Sequence, residues 1–451
     1  MSGDLLDLAT GIVERAGGDE VEAFLTHERE FQVKAFEGEV ESLSSAEPRG
    51  AGIRAFKGGR VGFAYTTDLS EGGLDAILEL ARANAEHATV DEALGVAEGW
   101  GGAAPEDVPG LVDDAQPSVR PDDKTAFAVE LDRLTRAVDP RIRTVEEAVY
   151  SDSDTEIAIA TSTGIAGSYH RTDAWCYVFA IATEGDDTQV GFDFDLGRGL
   201  ADLDAGTLAE SAARRALSVL GASKVPSARM PVILDPYTAG QFIGVIGGAL
   251  TGEAVQKGRS LFAGREGERV AAANVTLVDD GRAVGAPGSA PWDAEGVATG
   301  RTEVIREGAL TGFLYDLTSA RRDNKSSTGN AARAGFKSAP YPAPSNLAFE
   351  PTGETAVSIR SRADRALLVH DIHGVHSGAN PISGDFSVGA TGILIEKGDE
   401  IQPVKEVTIA APMLEILARI EAVGDDRRWL PFGGSLGGAT TLVSEMTVGG
   451  L

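Results

Sequence analysis

Leu5, Leu8, Ala9, Ile12 and Val13 recur at the spacing of one helix face and give way to Gly17 and Gly18, so the chain opens with an amphipathic helix. Apolar and polar residues then alternate, at Val21, Ala23 and Leu25 and again at Phe31, Val33 and Ala35, as in two half-buried strands. Runs 50–56 and 61–65 flank Lys57-Gly58-Gly59-Arg60, whose glycines suit a tight hairpin. A helix is predicted over 70–87, with Leu74, Ile77, Leu78 and Ala81 on one face. Residues 90–121, rich in Gly, Ala, Pro and acid, read as a surface excursion. A helix over 122–138, strand-like segments between 142 and 196 and a helix over 203–220 complete the first half.

Residues 223–229 look like a boundary, giving domains 1–225 and 226–451. The apolar run 230–234 leads into Asp235-Pro236, an acidic cap followed by proline in a first helical turn. The helix behind it, extending to about residue 255, holds Gly240, Gly244, Gly247, Gly248 and Gly252. Each interior glycine costs about 1 kcal/mol against alanine, so several together imply packing too close for side chains. The remainder predicts strands around 275–278, 302–305, 313–315, 356–359, 366–369, 392–395 and 404–409, a helix over 413–422 and a last strand over 440–448. The fold class is α+β: an N-terminal α/β domain with a mixed or antiparallel sheet, then a β-rich, barrel-like domain with a glycine-rich helix.

Composition narrows the function. A chain of 451 residues, 42% hydrophobic and 24% charged, is a folded protein with two cores rather than a disordered one. Acidic residues number 69 against 40 basic ones, only 9 of them lysine, for a net charge of -29. That field repels nucleic acid and anionic membranes, so neither is an expected partner. The same composition resembles that of halophilic proteins, and it makes any single carboxylate weak evidence for a site. Cys176, the one cysteine, sits in an apolar strand-like run and reads as a buried packing residue. The acidic start lacks a signal-like core and no run is long enough to span a bilayer, which predicts a cytoplasmic protein.

Candidate chemistry concentrates in three places. His370, His373 and His376 fall within seven positions, but the spacing is not the i, i+4 pairing of helical metal ligands. Ser377, Ser383 and Ser387 lie nearby without a nucleophile elbow around them. Asp293 and Glu295, two apart, would point to one side of an extended segment, where general acid and base work or the holding of backbone amides are both open. Residues 324–330, which include Thr328 and Asn330, form a small polar loop suited to anions but lack the lysine ending of a nucleotide site.

QKGRSLFAGREGE (256–268), TLVDDG (276–281), WDAEGVATG (292–300), VIREGALTGFLYD (304–316), SSTGNAAR (326–333), SGDFSVGATGILIEKG (383–398) and the terminal TVGG (447–450) occur in one collinear order. Together they resemble the TldD/PmbA family, cytoplasmic proteins of a zinc-dependent peptidase system whose name is also tied to DNA gyrase modulation. In the TldD-like branch the glycine-rich helix carries HExxxH, and a late cysteine completes the zinc ligands. Here the two histidine positions fall on Ile243 and Gly248, the glutamate position falls on Gly244, and 424–438 contains no cysteine. The resemblance is therefore to the PmbA (TldE)-like branch. It implies a non-catalytic chain without a metal of its own, paired with a TldD-like subunit that holds zinc and acts on unfolded or leader peptides; the assembly would be a hetero- or homodimer. The expected peptide-cavity or interface residues are Asp293, Glu295, Thr328, Asn330, His376, Ser377, Asn380, Asp385 and Ser387. Two other readings stand beside it: a stand-alone metallopeptidase with metal relocated to His373, His376 and Asp385, and a homo-oligomeric peptide-binding scaffold.

Overall fold

The computed structural model describes residues 4–430 and 435–451. The first half is built on a seven-stranded sheet in the order β4-β3-β1-β5-β6-β7, with β2 paired to β1 and every pairing antiparallel. Its strands are β1 (Glu20–Phe36), β2 (Glu39–Ala46), β3 (Arg49–Phe56), β4 (Val61–Thr66), β5 (Ile142–Thr161), β6 (Ala166–Glu184) and β7 (Asp187–Gly197). The two strands expected over 21–35 are one continuous element, and β2, exposed along its whole length, carries no apolar alternation to announce it.

Helices α1 (Leu5–Arg15), α2 (Glu71–His87), α3 (Pro121–Ala137) and α4 (Ala205–Ser218) cover one sheet face. The α1/α2 pair packs on Val21, Ala23, Leu25, Ala158 and Ala160, and the α3/α4 pair packs further along the same strands on Phe31, Val33, Ala148 and Tyr150. Residues two apart on a strand share a face, so both pairs lie on one side and leave the other free to receive the second half. Cys176 is buried within the α3/α4 core.

Segment 90–121 is mostly exposed, as the surface reading expects, but it is pinned along one side. Ala93, Val96, Ala97, Val108 and Leu111 are buried, and its carbonyls are satisfied from the far half of the chain. Arg321 donates to Ala93 O and Val96 O, Arg282 donates to Glu106 O and Asp107 O, and Trp100 Nε1 donates to Gly296 O at 2.8 Å. Long cationic side chains stand in for water, so a polar loop can lie between two packed bodies.

In the second half, β8 (Ala228–Leu234) leads into α5 (Pro236–Ala249) and α6 (Gly252–Gln256). Thr251 caps α6 and breaks the single helix expected to run to residue 255. A six-stranded sheet follows the order β11-β10-β9-β14-β20-β19, from β9 (Leu277–Asp280), β10 (Arg301–Arg306), β11 (Ala309–Leu310), β14 (Leu347–Phe349), β19 (Arg428–Leu430) and β20 (Leu436–Gly438), while β12 (Ala331–Ala332) pairs with β13 (Tyr341–Pro342). Beside it β8, β15 (Arg365–His373), β16 (Ser387–Glu396), β17 (Asp399–Ala410) and β21 (Thr441–Gly449) pair in a ring that closes between β17 and β21, a five-stranded barrel. Strand β18 (Ile420–Val423) extends β21, and the short helices are α7 (Leu317–Arg322), α8 (Ala356–Arg362), α9 (Val375–Gly378) and α10 (Met413–Ala418). Three expectations fail here: 356–359 is helical in α8, capped by Thr355 and packed by Ile359; 313–315 forms no strand; and the helix from Met413 stops at Ala418 because β18 takes over.

The glycines of α5 divide by environment. A methyl on Gly240 would collide with Leu430, one on Gly244 would sit 2.8 Å from Leu436 Cδ1, and one on Gly247 would sit 2.8 Å from Leu347 Cδ2, so this helix lies almost in contact with the sheet beside it. Gly248 is exposed and meets nothing within 4 Å. Gly248→Ala should therefore stabilise the protein by up to about 1 kcal/mol. Gly240→Ala should cost about 1–3 kcal/mol through overpacking. Urea or thermal unfolding of the two variants checks the opposite signs.

Candidate functional site: a buried charge network and the pocket beside it

Glu22 and Arg54 face each other across β1 and β3 on the sheet side opposite the helices, a register set by the antiparallel pairing. Both are buried, and two side chains from the second half, Glu295 and Arg333, complete a four-membered network. Arg54 donates to Glu22 through Nε at 3.0 Å and through Nη2, and Nη2 also reaches Glu295 at 3.0 Å. Arg333 pairs with Glu22, donates Nε to Ala294 O at 3.1 Å and stacks over the Phe24 ring at 4.6 Å. Glu295 accepts the Leu317 N–H at 2.9 Å, which ties the network to α7.

Burial raises the Glu22 carboxyl, yet Arg333 and Arg54 outweigh it and hold its pKa below the ordinary value. Arg54, with two carboxylates on it, is held above its ordinary range despite its burial, whereas Arg333, against one carboxylate, is lowered by burial. Asp293 is pushed up to about 7 by burial and by the charge of Glu295. Asp279 on β9 is pushed up to about 6 by burial, partly offset by donors from Asn330, Ser345 and Asn346.

The Asp293/Glu295 pair is not the one-sided dyad expected of an extended segment. Gly296 turns the chain with φ 82°, and its N–H returns to Asp293 O at 2.9 Å. Asp293 then spends its oxygens on three backbone amides, those of Glu295, Val297 and Ala331, while Glu295 turns to Arg54. Thr328 donates to Asn330 Oδ1 at 2.6 Å, and Asn330 donates to Asp279 at 2.6 Å, so the polar loop is engaged by its own structure.

These four residues come together; the other five do not join them. His376, Ser377, Asn380, Asp385 and Ser387 are exposed around α9 and the start of β16. Ser377 Oγ donates to Gly374 O at 3.1 Å, and Asn380 Oδ1 accepts from Ile382 and Ser383 N–H groups, which is turn chemistry. His370 lies with Nδ1 3.8 Å from Asp235, the α5 cap. Burial would raise Asp235, but Arg215 at 2.7 Å and His370 bring it down to about 2. Among the described residues no three His, Cys, Asp or Glu side chains are grouped to hold a metal ion, so His373, His376 and Asp385 form no ligand set.

The α5 positions fit no zinc either. Ile243 is fully buried in the core with an apolar side chain, and Gly244 and Gly248 carry no side-chain donor atoms. Of 424–438, residues 431–434 lie outside the described residues, and no cysteine occurs anywhere in that stretch.

A pocket of about 300 Å³ lies beside the network, between the open sheet face and the second half. Phe24, Ile157, Tyr169 and Arg171 come from one side, and Trp292, Asp293 and Arg333 from the other. Sequence reasoning missed Glu22, Arg54, Arg171 and Arg333 as site residues; Arg333 ends the SSTGNAAR motif and was within reach, whereas Glu22 and Arg54 look like the solvent side of alternating strands.

An antiparallel sheet docked through buried charge onto a glycine-packed helix and a small closed barrel makes this an α+β chain of two packed halves. The PmbA/TldA metallopeptidase models match it throughout: domain 1 over 21–85, the central domain over 114–220 and the C-terminal domain over 227–450. The chain belongs to the PmbA/TldD family. It is 27% identical to metalloprotease PmbA of Escherichia coli O157:H7 over 93% of this chain and 90% of that one, and 27% identical to a metalloprotease TldD homolog of Haemophilus influenzae over 89% and 87%. Its fold superposes on the crystal structure of TldE from Thermococcus kodakarensis with a TM-score of 0.90, at 23% identity, covering 98% of this chain and all of that one.

Two outcomes follow from the site. Arg54→Met leaves Glu22 and Glu295 buried without their shared cation and should cost about 3–5 kcal/mol, of which adding Glu295→Gln restores part; chemical unfolding of both variants reads this. Asp279 has a folded pKa above its unfolded value, so its stabilising contribution is complete below about pH 4 and is lost as pH rises through about 6. Asp279→Asn removes that loss. The unfolding temperature of the variant relative to the parent should therefore move upward between about pH 5 and about pH 8.

Proposed function

We propose that this chain is the non-catalytic, PmbA (TldE)-like subunit of a cytoplasmic heteromeric zinc metallopeptidase that acts on unfolded or leader-type peptides. The observation that carries the reading is α5. Where a metallopeptidase of this family needs two imidazoles and a carboxylate, this helix offers a core isoleucine and two glycines, and no side chain there can hold zinc or take a proton from water. Zinc belongs to the partner, a homologous TldD-like subunit bearing HExxxH, and the present chain supplies part of the wall around the peptide. No helix among the described residues is long and apolar enough to cross a membrane.

Purified alone, the protein should contain no stoichiometric zinc and leave an unstructured peptide intact, and co-expression with an HExxxH-bearing homologue should give a complex that cleaves it. Metal analysis and a peptide-cleavage assay decide the matter. Chelator-sensitive cleavage by the lone chain sinks the proposal.

A further inference from the structure

Two arginines line the pocket between the two halves, and each keeps one guanidinium nitrogen out of its hydrogen bonds. The Arg333 side chain is 1% exposed, its Nε and Nη2 are spent on Ala294 O and Glu22, and its Nη1 is buried with no partner among the described residues. Arg171 gives Nε and Nη2 to Asp173 and Nη2 also to Pro287 O, which leaves its Nη1 in no hydrogen bond among the described residues. Three acceptors near them are already engaged: the Asp293 oxygens hold three amides, Ala294 O holds Arg333 Nε, and Ala343 O holds Asn330 Nδ2. A buried guanidinium N–H without an acceptor is costly, and two guanidinium groups with an unspent N–H on one cavity suit a group that accepts.

The rest of the pocket is apolar. Trp292, 3% exposed, meets Tyr169 edge to face at 4.8 Å, with Ile157 and Phe24 beside them. Its volume of about 300 Å³ is that of one or two amino-acid residues rather than a folded partner.

From this geometry we infer that the pocket binds a carboxylate held next to an apolar or aromatic side chain, as at the C-terminus of a peptide or in a free amino acid, with Arg171 and Arg333 donating to the carboxylate and Trp292 and Tyr169 receiving the side chain. Planar guanidinium groups match a carboxylate in geometry and charge. The peptide source rests on the proposed role in peptide handling; the carboxylate pocket itself does not.

The test is calorimetric titration of the purified full-length chain, without partner or zinc, with N-acetyl-phenylalanine, its C-terminal amide, free phenylalanine, and one hexapeptide ending in phenylalanine with a free or an amidated terminus. The acids should bind and each amide should bind roughly tenfold or more weakly, the loss expected on removing a charged hydrogen-bond partner. A hexapeptide acid tighter than free phenylalanine identifies the chain terminus as the source, and the reverse order identifies the free amino acid. Arg171→Gln should weaken acid binding by about the same factor. Ala332→Leu, which narrows the pocket without touching its charges, should abolish it while the unfolding temperature stays near the parent's. Equal affinity for acid and amide, no binding of either, or full affinity in Ala332→Leu overturns the inference. None of those results bears on zinc content or partner-dependent cleavage, so this inference and the subunit proposal fail separately.

Discussion

Glu22 and Arg54 would be an ordinary cross-strand ion pair if the sheet face that carries them met water, and such a pair contributes little. Docking of the second half changes their energetics. Once water is gone each charge needs more than one partner, since desolvation costs several kcal/mol per ion and a single bond rarely returns it. Arg54 finds Glu295 and Glu22 finds Arg333, so neither half can bury its charges without the other. The network thus ties the burial of each half's charges to the docking of the other half. Segment 90–121 reinforces the arrangement, because its carbonyls are satisfied by Arg282 and Arg321 of the second half.

The sequence shows local order well and two-sided burial badly. The α1, α2, α3 and α4 faces and the 57–60 hairpin follow from apolar spacing, caps and glycines, which act over a few residues. Strand β1 looks like two in the sequence because Thr26, His27, Glu28, Arg29 and Glu30 interrupt its alternation, where the strand crosses the gap between the two helix pairs. Ala356-Val357-Ser358-Ile359 looks like a strand by composition, but Thr355 caps a helix that needs only Ile359 for its core contact. Alternation at Val21, Ala23 and Leu25 correctly assigns one face to a core and wrongly assigns Glu22 to solvent, since nothing local says that a second body covers the other face.

The same limit explains the candidate site. Asp293, Glu295, Thr328 and Asn330 were legible as residues with a task, and they do gather; their task is to hold backbone amides, a buried cation and one another. The histidine stretch drew attention by density alone. His370 and His373 lie on β15, the first beside the α5 cap and the second exposed, and His376 is exposed on α9 beyond the sharp turn at Gly374.

The proposed non-catalytic role rests on which groups the centre of the molecule leaves free. Hydrolysis needs a group that takes a proton from water and a centre that draws charge from the carbonyl oxygen. On α5 the corresponding positions are Ile243, Gly244 and Gly248, with side chains that have no lone pairs. In the pocket, Asp293 has the raised pKa of a prospective base, yet its oxygens already accept three amide N–H groups, and burial beside Glu295 rather than exposure to a substrate is what raises it. The unspent atoms there are guanidinium donors, which attract and orient an anion and cannot accept a proton at neutral pH. A packed helix in place of a ligand helix, and guanidinium donors beside a carboxylate already engaged by amides, are the features on which the proposed non-catalytic role rests.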